Sequence, residues 1–420
     1  FISNYFPPEV NAPATRLYEH AKRWARQGEV DVITAPPNFP EGVVYAGYRN
    51  RYGREEIGGI GVTRVPVYIA ENKGNLKRIA SYVSFMLSAV WFSRRVRRPD
   101  VVVATSPQFF TAIGGYLISV LRRVPFVLEI RDLWPESIVA VGAMRRNWVI
   151  KFFERLELFL YRRADHIVVV TNSFKRIIAG KGICEGKISV IKNGADLETF
   201  ASVPDEEQLT DFRRRYGLEG KFVASYIGTI GMAHRADILL EAARRCPDPS
   251  VAFMVVGGGG ERAALDARQA ELGLTNFRLV EKQPKQMVPC LLGVSDVCVV
   301  HLRDTPLFRT VIPSKIFEAM ITGTPIALGV RGEAREIVEE SGAGIPFTPD
   351  DADELLAAVM RLKADAELRR EMARRGREFV LKQHNREELA LRYWALLRQV
   401  CGEPSPAAHH GARVSRLEQM

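Results

Sequence analysis

Short runs of Val, Ile and Phe alternate with longer amphipathic stretches along nearly the whole chain. That is the rhythm of strand, helix and strand in a parallel sheet. In the first half the runs predict strands at Val30 to Thr34, Val101 to Thr105, Phe126 to Ile130, His166 to Thr171 and Ile188 to Ile191. Helical spacing of apolar residues predicts helices over Thr15 to Gln27, Trp148 to Arg163 and Ser173 to Gly180. A second series begins after Asn193, Gly194 and the polar stretch Ser202 to Gln208. Its strands are expected at Phe222 to Ile227, Val251 to Val256, Phe277 to Val280, Val297 to His301 and Pro325 to Gly329. The pattern predicts the α/β class in two Rossmann-like halves, and 420 residues exceed what one core usually serves. Sheets of this kind bind ligands beyond the carboxyl ends of their strands, so facing halves place a site in the cleft between them.

Composition changes this picture little. With 47% hydrophobic and 26% charged residues the chain can bury ample cores. Cys184, Cys246, Cys290, Cys298 and Cys401 have neither metal nor redox spacing, which fits a reducing, cytoplasmic setting. The chain opens on Phe1 within an apolar strand, which leaves room for preceding residues and disfavours a signal peptide.

Charge is more informative. The net charge is +10, but residues 1–190 carry 28 Lys and Arg against 16 Asp and Glu, +12, and the rest 31 against 33, −2. An excess confined to the first half suits the phosphates of an anionic lipid or of a pyrophosphate-linked acceptor, or a solvated Arg-rich surface, better than a nucleic acid. The apolar run Ile79 to Phe92 has 14 residues, short of the ~20 that span a bilayer. Flanked by Arg78, Arg94, Arg95, Arg97 and Arg98, it fits a helix lying on the inner face of the plasma membrane or a buried helix of the first domain.

The densest chemistry lies between Arg309 and Leu328. Ser314 can cap a helix starting at Lys315, which Gly323 and Pro325 then end. A helix start offers free N–H groups to an anion, and Lys315 adds charge there. Ile316, Phe317, Met320 and Ile321 form its apolar stripe, leaving Lys315 and Glu318 together on the other flank. Glu318 stands one place too late for a capping box with Ser314. It is therefore free for a ligand bearing hydroxyls, such as a ribose, although the same spacing also makes a surface ion pair. Glu129 to Glu136 ends a first-half strand, where cleft residues belong. Gly257 to Gly260 follow a strand without the Lys that would mark nucleotide hydrolysis, and read as a tight turn. The histidines have no metal-ligand spacing, so neither a metal nor a cofactor is expected.

Five motifs stand in order along the chain. They are Tyr5-Phe6-Pro7-Pro8-Glu9 with Ala12-Pro13-Ala14-Thr15-Arg16, then Arg131-Asp132-Leu133-Trp134-Pro135-Glu136, Val190-Ile191-Lys192-Asn193-Gly194-Ala195-Asp196, Tyr226-Ile227-Gly228, and Pro313-Ser314-Lys315-Ile316-Phe317-Glu318. On these the chain resembles, from Ser3 to Leu397, the GT-B glycosyltransferases of the large retaining family four. Within that family it is most similar to bacterial surface-polysaccharide transferases of the N-acetyl-L-fucosamine type.

The resemblance implies two facing Rossmann-like domains, residues 1–197 for the acceptor and 198–384 for a nucleotide-sugar donor. Residues 385–401 would be a helix crossing back to the first domain, and 402–420 a disordered tail. It further implies that Ser314 and Lys315 hold the donor diphosphate, Glu318 the ribose, and Gly228 and Thr229 the phosphates and sugar, with Lys282 to Met287 near the base. Arg131, Asp132 and Glu136 would serve catalysis, and Asn11 and Arg16 the acceptor.

The sequence departs from the family pattern in three places. Thr310 replaces the first of two carboxylates seven residues apart. His234 and Arg235 stand where Arg and Lys are usual, which makes Arg235, with Arg309, the phosphate candidates. Asn11 replaces a glycine. The implied reaction is retaining, metal-independent transfer of a hexose or N-acetylhexosamine from a UDP-type donor to a glycan or lipid-linked acceptor. The same architecture also serves non-hydrolysing nucleotide-sugar 2-epimerases, and a basic non-catalytic binding protein is a third reading.

Overall fold

The computed structural model describes residues 1–39, 42–69, 75–106, 109–136, 147–195, 197–200 and 205–403. Every strand expected from the apolar runs forms. The tail expected from residue 402 lies, beyond Glu403, outside the described residues.

The first domain carries β1 (Asp31–Thr34), β2 (Gly53–Ile57), β3 (Ile60–Arg64), β4 (Val102–Thr105), β5 (Phe126–Ile130), β6 (His166–Val169) and β7 (Ile188–Val190). Ile2 knits β1 and β4 into one sheet by bridging Ile33 and Ala104. Its N–H donates to the Val103 carbonyl at 2.8 Å. The hairpin β2 and β3 has no counterpart in the expected elements. Gly53–Ile57 is an antiparallel edge strand, half-exposed and carrying Arg54, Glu55 and Glu56, so no apolar run announces it.

The second domain is a six-stranded, wholly parallel sheet. Its strands are β8 (Phe222–Ile227), β9 (Val251–Val256), β10 (Phe277–Val280), β11 (Val297–His301), β12 (Ile326–Gly329) and β13 (Gly344–Pro346). They lie in the order β10, β9, β8, β11, β12, β13. Helices cover both faces, so all six residues of Val251–Val256 are buried and the strand reads as a continuous apolar run. Strand order reverses between β8 and β11, and in such sheets the crevice at that point receives the ligand.

Two chain passages link the domains side by side, with Ala195 bridged to Asn385. Gly194 is required there, because a Cβ would lie 2.3 Å from the His384 carbonyl oxygen. The second passage continues as the helix Arg386–Val400, which packs on the helix Ala12–Trp24 of the first domain. Trp24 Nε1 donates to the Ala390 carbonyl at 2.9 Å and Arg23 to Glu387 at 2.6 Å.

Two local expectations change. The helix expected from Thr15 starts at Ala12, because Asn11 caps it by accepting from the Ala14 N–H at 2.9 Å and Pro13 suits a first turn. Ser314, in contrast, is already helical (φ −61°, ψ −26°) and caps nothing with its side chain. The apolar run near Ile79 falls in the helix Asn75–Phe92, with Phe85 and Ala89 buried and Leu87 and Trp91 facing outward. No helix among the described residues is long and apolar enough to cross a membrane.

Candidate active site

At the carboxyl end of β8, Tyr226 is fully buried and its hydroxyl donates to the Thr229 carbonyl at 2.7 Å. The chain then turns at Gly228 with φ +147°. Gly257, at the matching end of β9, has φ +157°, and a Cβ on it would stand 1.8 Å from the Gly228 carbonyl oxygen. Glycines thus let the two loops nest. Gly228 N–H donates to Val256 and Ile230 N–H to Gly258, each at 2.9 Å.

Lys315 opens the helix Lys315–Thr322 on the far side of this nest. Its Nζ lies 3.7 Å from the centroid of the Tyr226 ring, and a Cβ at Gly228 would come within 2.7 Å of it. The glycine therefore makes room for the ammonium. That ammonium is buried and has no hydrogen-bond partner among the described residues. Burial lowers its pKa to about 8, against the opposing pull of Cys298 and Glu318. A ring face compensates a desolvated cation only in part. The arrangement is one that an anion completes.

His234 follows the same loop. Burial first, then Lys315 and His301, push its imidazole down to about 4, and its Nδ1 is buried without a partner among the described residues. It stands where the family pattern leads one to expect a cation, and at neutral pH it carries none. Burial raises the Glu318 carboxyl, with Lys285, Arg386 and Lys315 opposing. Arg386 also acts on Arg131 of the first domain, whose guanidinium burial lowers to about 10 while Glu129 pulls it up. Arg386 therefore stands between the two domains' motifs, a placement that only the returning helix creates.

Several other residues named from sequence have partners within the protein. Arg235 (φ +46°) is tied to Asp237 at 3.0 Å and Asp350 at 3.5 Å. Arg309 pairs with Asp304 at 3.0 Å, which also takes Arg331. Arg16 is buried, binding Glu129 at 3.2 Å, Asn193 Oδ1 at 2.8 Å and the Ile191 carbonyl at 3.0 Å. Glu136 receives Lys181 at 2.7 Å, and Lys181 also holds the buried Glu157. Thr229 offers its carbonyl to Tyr226, and Ser314 leaves its side chain exposed. Asp132 follows β5 and accepts the Trp134 N–H on its carbonyl at 3.1 Å. Among the described residues no cluster of three or more His, Cys, Asp or Glu could hold a metal ion.

The site has a pH signature. A bound anion stabilises the charged form of Lys315, so above its unliganded pKa of about 8 binding must take up a proton. The diphosphate diester of a sugar nucleotide has no proton that titrates over that range. Its affinity should fall roughly tenfold per pH unit above that value in calorimetry. The Lys315→Ala variant should lack this limb.

Comparison with known proteins agrees with the geometry. A family model described as "Glycosyl transferase 4-like domain" matches residues 11–194, and one described as "Glycosyl transferases group 1" matches residues 209–379. The chain is 27% identical over 368 residues to the putative colanic acid biosynthesis glycosyl transferase WcaI of Escherichia coli K12, covering 84% of this chain and 89% of that protein. It is 25% identical over 297 residues to an Escherichia coli UDP-Gal:alpha-D-GlcNAc-diphosphoundecaprenol alpha-1,3-galactosyltransferase, covering 69% and 73%. The crystal structure of Anabaena Alr3699/HepE in complex with UDP and glucose superposes with a TM-score of 0.72 at 18% identity, covering 94% of this chain and 98% of that one. Two domain models that together span both Rossmann-like halves, on a fold shared over 94% of its length, show that the chain belongs to the family-four glycosyltransferases with the GT-B fold.

Proposed function

We propose that this glycosyltransferase moves a hexose or N-acetylhexosamine from a UDP-sugar to a glycan or lipid-linked acceptor in surface polysaccharide synthesis, with retention and without a metal. The observation that carries the reading is the buried Lys315 Nζ above Tyr226, without a hydrogen-bond partner among the described residues, at a helix start beside the Gly228 turn. A donor diphosphate there meets the ammonium together with the Ser314 and Lys315 backbone N–H groups, those of Ile316 and Phe317 already donating to the Pro313 and Ser314 carbonyls. Glu318, three residues on, suits the ribose hydroxyls.

In this scheme the bond from the anomeric carbon to the β-phosphate oxygen breaks heterolytically, leaving UDP. The acceptor oxygen bonds to the anomeric carbon on the face the UDP left, and its proton passes to a departing phosphate oxygen. Lys315 offsets the charge that grows on that phosphate. Asp132, at the end of β5, orients the acceptor or the sugar, and Arg131 with Arg386 supplies positive potential on the first-domain side. Mass spectrometry of a donor panel with lipid-linked acceptors tests this. UDP-N-acetylhexosamines should yield UDP and an extended acceptor in equal amounts. Conversion of a UDP-sugar to its 2-epimer without acceptor, or release of no UDP from any donor, refutes it.

A lipid-linked acceptor fits one face of the first domain. The helices Asn75–Phe92, Phe109–Arg122 and Trp148–Arg163 pack side by side. They expose Leu87, Trp91, Val120, Leu121, Trp148 and Phe152, each more than half accessible. Exposed Arg94, Lys151, Arg155 and Arg163 lie among them. Apolar anchors within a basic half suit the surface of an anionic bilayer. The protein should sediment with phosphatidylglycerol vesicles and not with phosphatidylcholine vesicles, and Trp91→Ser with Trp148→Ser should reduce the bound fraction several-fold. Equal recovery on both vesicle types would contradict it.

A further inference from the structure

Glu333 belongs to the second domain, yet its carboxylate is buried against the first. It opens the helix Glu333–Ser341 and is 3% exposed. Its Oε1 accepts from the backbone N–H of Asn172 and from Asn172 Nδ2, both at 3.1 Å. Its Oε2 accepts from the Ser173 N–H at 3.0 Å and the Ser173 hydroxyl at 3.2 Å. Lys192 Nζ stands 3.7 Å from Oε1. Asn172 and Ser173 are the first two residues of the helix Asn172–Gly180, whose third free N–H, on Phe174, is already taken by the Thr171 cap at 3.0 Å. The carboxylate thus completes the end of a helix in the other domain, where the backbone dipole favours a negative charge.

What this contact holds in place lies on both walls of the cleft. In the first domain Thr171 closes the segment after β6, which runs beside β5 with Val169 paired to Ile130, and the next residues after Ile130 are Arg131 and Asp132. In the second domain Gly332 (φ +71°) is seated on Arg309, and a Cβ there would be 2.0 Å from the Arg309 carbonyl oxygen. Arg309 begins the stretch that leads into Pro313, Ser314 and Lys315. One carboxylate therefore ties the end of the Asp132 wall to the approach to the Lys315 wall.

We propose that Glu333 is a positioning residue that latches the two domains closed, setting the separation between the Asp132 and Lys315 sides of the cleft. The inference rests on the glycosyltransferase reading for its effect on turnover, but not for its effect on domain separation. Opening the cleft would strip a buried carboxylate of four hydrogen bonds and return it to water, so the closed state is favoured by the whole set acting together. Glutamine at this position keeps the shape but turns an NH₂ toward donors, and so cannot make the same set.

Two variants separate this from a merely structural role. Glu333→Gln removes the charge. Asn172→Pro removes two of the donors from the other domain at the first helical position, where proline is well tolerated. Full-length protein labelled with a dye in each domain reports their separation by single-molecule energy transfer. Both variants should shift the population toward lower transfer efficiency, and kcat should fall about 10²-fold, as for a modest misplacement of reacting groups. The Kd for UDP, which contacts the second domain, should stay within about twofold. Wild-type transfer efficiency in both variants would overturn the latch whatever the activity. A shift in efficiency with no detectable transferase activity in any form, wild type included, would leave the latch standing and refute the assigned reaction instead. Loss of UDP binding in step with kcat would show a folding role and overturn the proposal.

Discussion

Lys315→Ala should transfer sugar about 10³-fold more slowly than the wild type while folding normally. The expectation follows from what the ammonium lacks. It is buried on the Tyr226 ring with no hydrogen-bond partner among the described residues, so its removal breaks no hydrogen bond there, and taking an unpaired charge out of a protein tends to be neutral or stabilising. Thermal melting should show an unchanged or slightly higher Tm, and steady-state kinetics should show the loss chiefly in kcat. Lys315→Arg should not rescue, because a planar guanidinium is longer and broader than the space left beside Gly228 and Tyr226. A large fall in Tm would mean that Lys315 holds the fold together.

Gly257→Ala should be the most destabilising single-methyl change among the loops of the second domain. Its φ of +157° is strained for an alanine, and the added Cβ would stand 1.8 Å from the Gly228 carbonyl oxygen, which is backbone and cannot swing aside. Strain and overlap together should cost about 3 kcal/mol or more. Relief would require the Gly228 turn to withdraw toward Lys315, so UDP affinity should fall as well. Gly260→Ala is the control, since a Cβ there has nothing within 4 Å. Urea denaturation should show a lowered midpoint for Gly257→Ala and little change for Gly260→Ala. Equal midpoints would show that the two loops are not nested as described.

Much of the fold is legible in the chain because parallel strands buried on both faces must be apolar throughout, so Val251–Val256 and Val297–His301 announce themselves. The strand Gly53–Ile57 escapes the same test because an edge strand paired on one side can carry Arg54 and Glu56. Lys315 and Glu318 are legible for a local reason. A helix start, an apolar stripe and a spacing of three are properties of consecutive residues.

What stayed hidden depends on contacts between distant segments. Arg235 and Arg309 are phosphate candidates by composition; their pairs with Asp237 and Asp304 lie within five residues and could be read locally, whereas the pairing of Arg235 with Asp350 could not. Arg16 is an acceptor candidate by motif, and that it also braces Glu129 and the passage between domains shows only in the packed structure. Arg386 and Glu333 carry no signal of their own. The first matters because a helix returns across the cleft, the second because a helix of the other domain ends against it. His234 stood in view as a departure from the family pattern, and its neutrality comes from burial beside Lys315, which only the packed loop supplies.

On this reading a donor diphosphate sits at the start of the helix Lys315–Thr322. A crystal structure of the full chain with UDP tests it most directly. Phosphate oxygens should lie within hydrogen-bond distance of Lys315 Nζ and of the Ser314 and Lys315 backbone N–H groups, beside the Gly228 turn, with the ribose hydroxyls on Glu318. Phosphates bound at Arg235 or Arg309, with the Lys315 ammonium still on the Tyr226 ring and touching no anion, would contradict it.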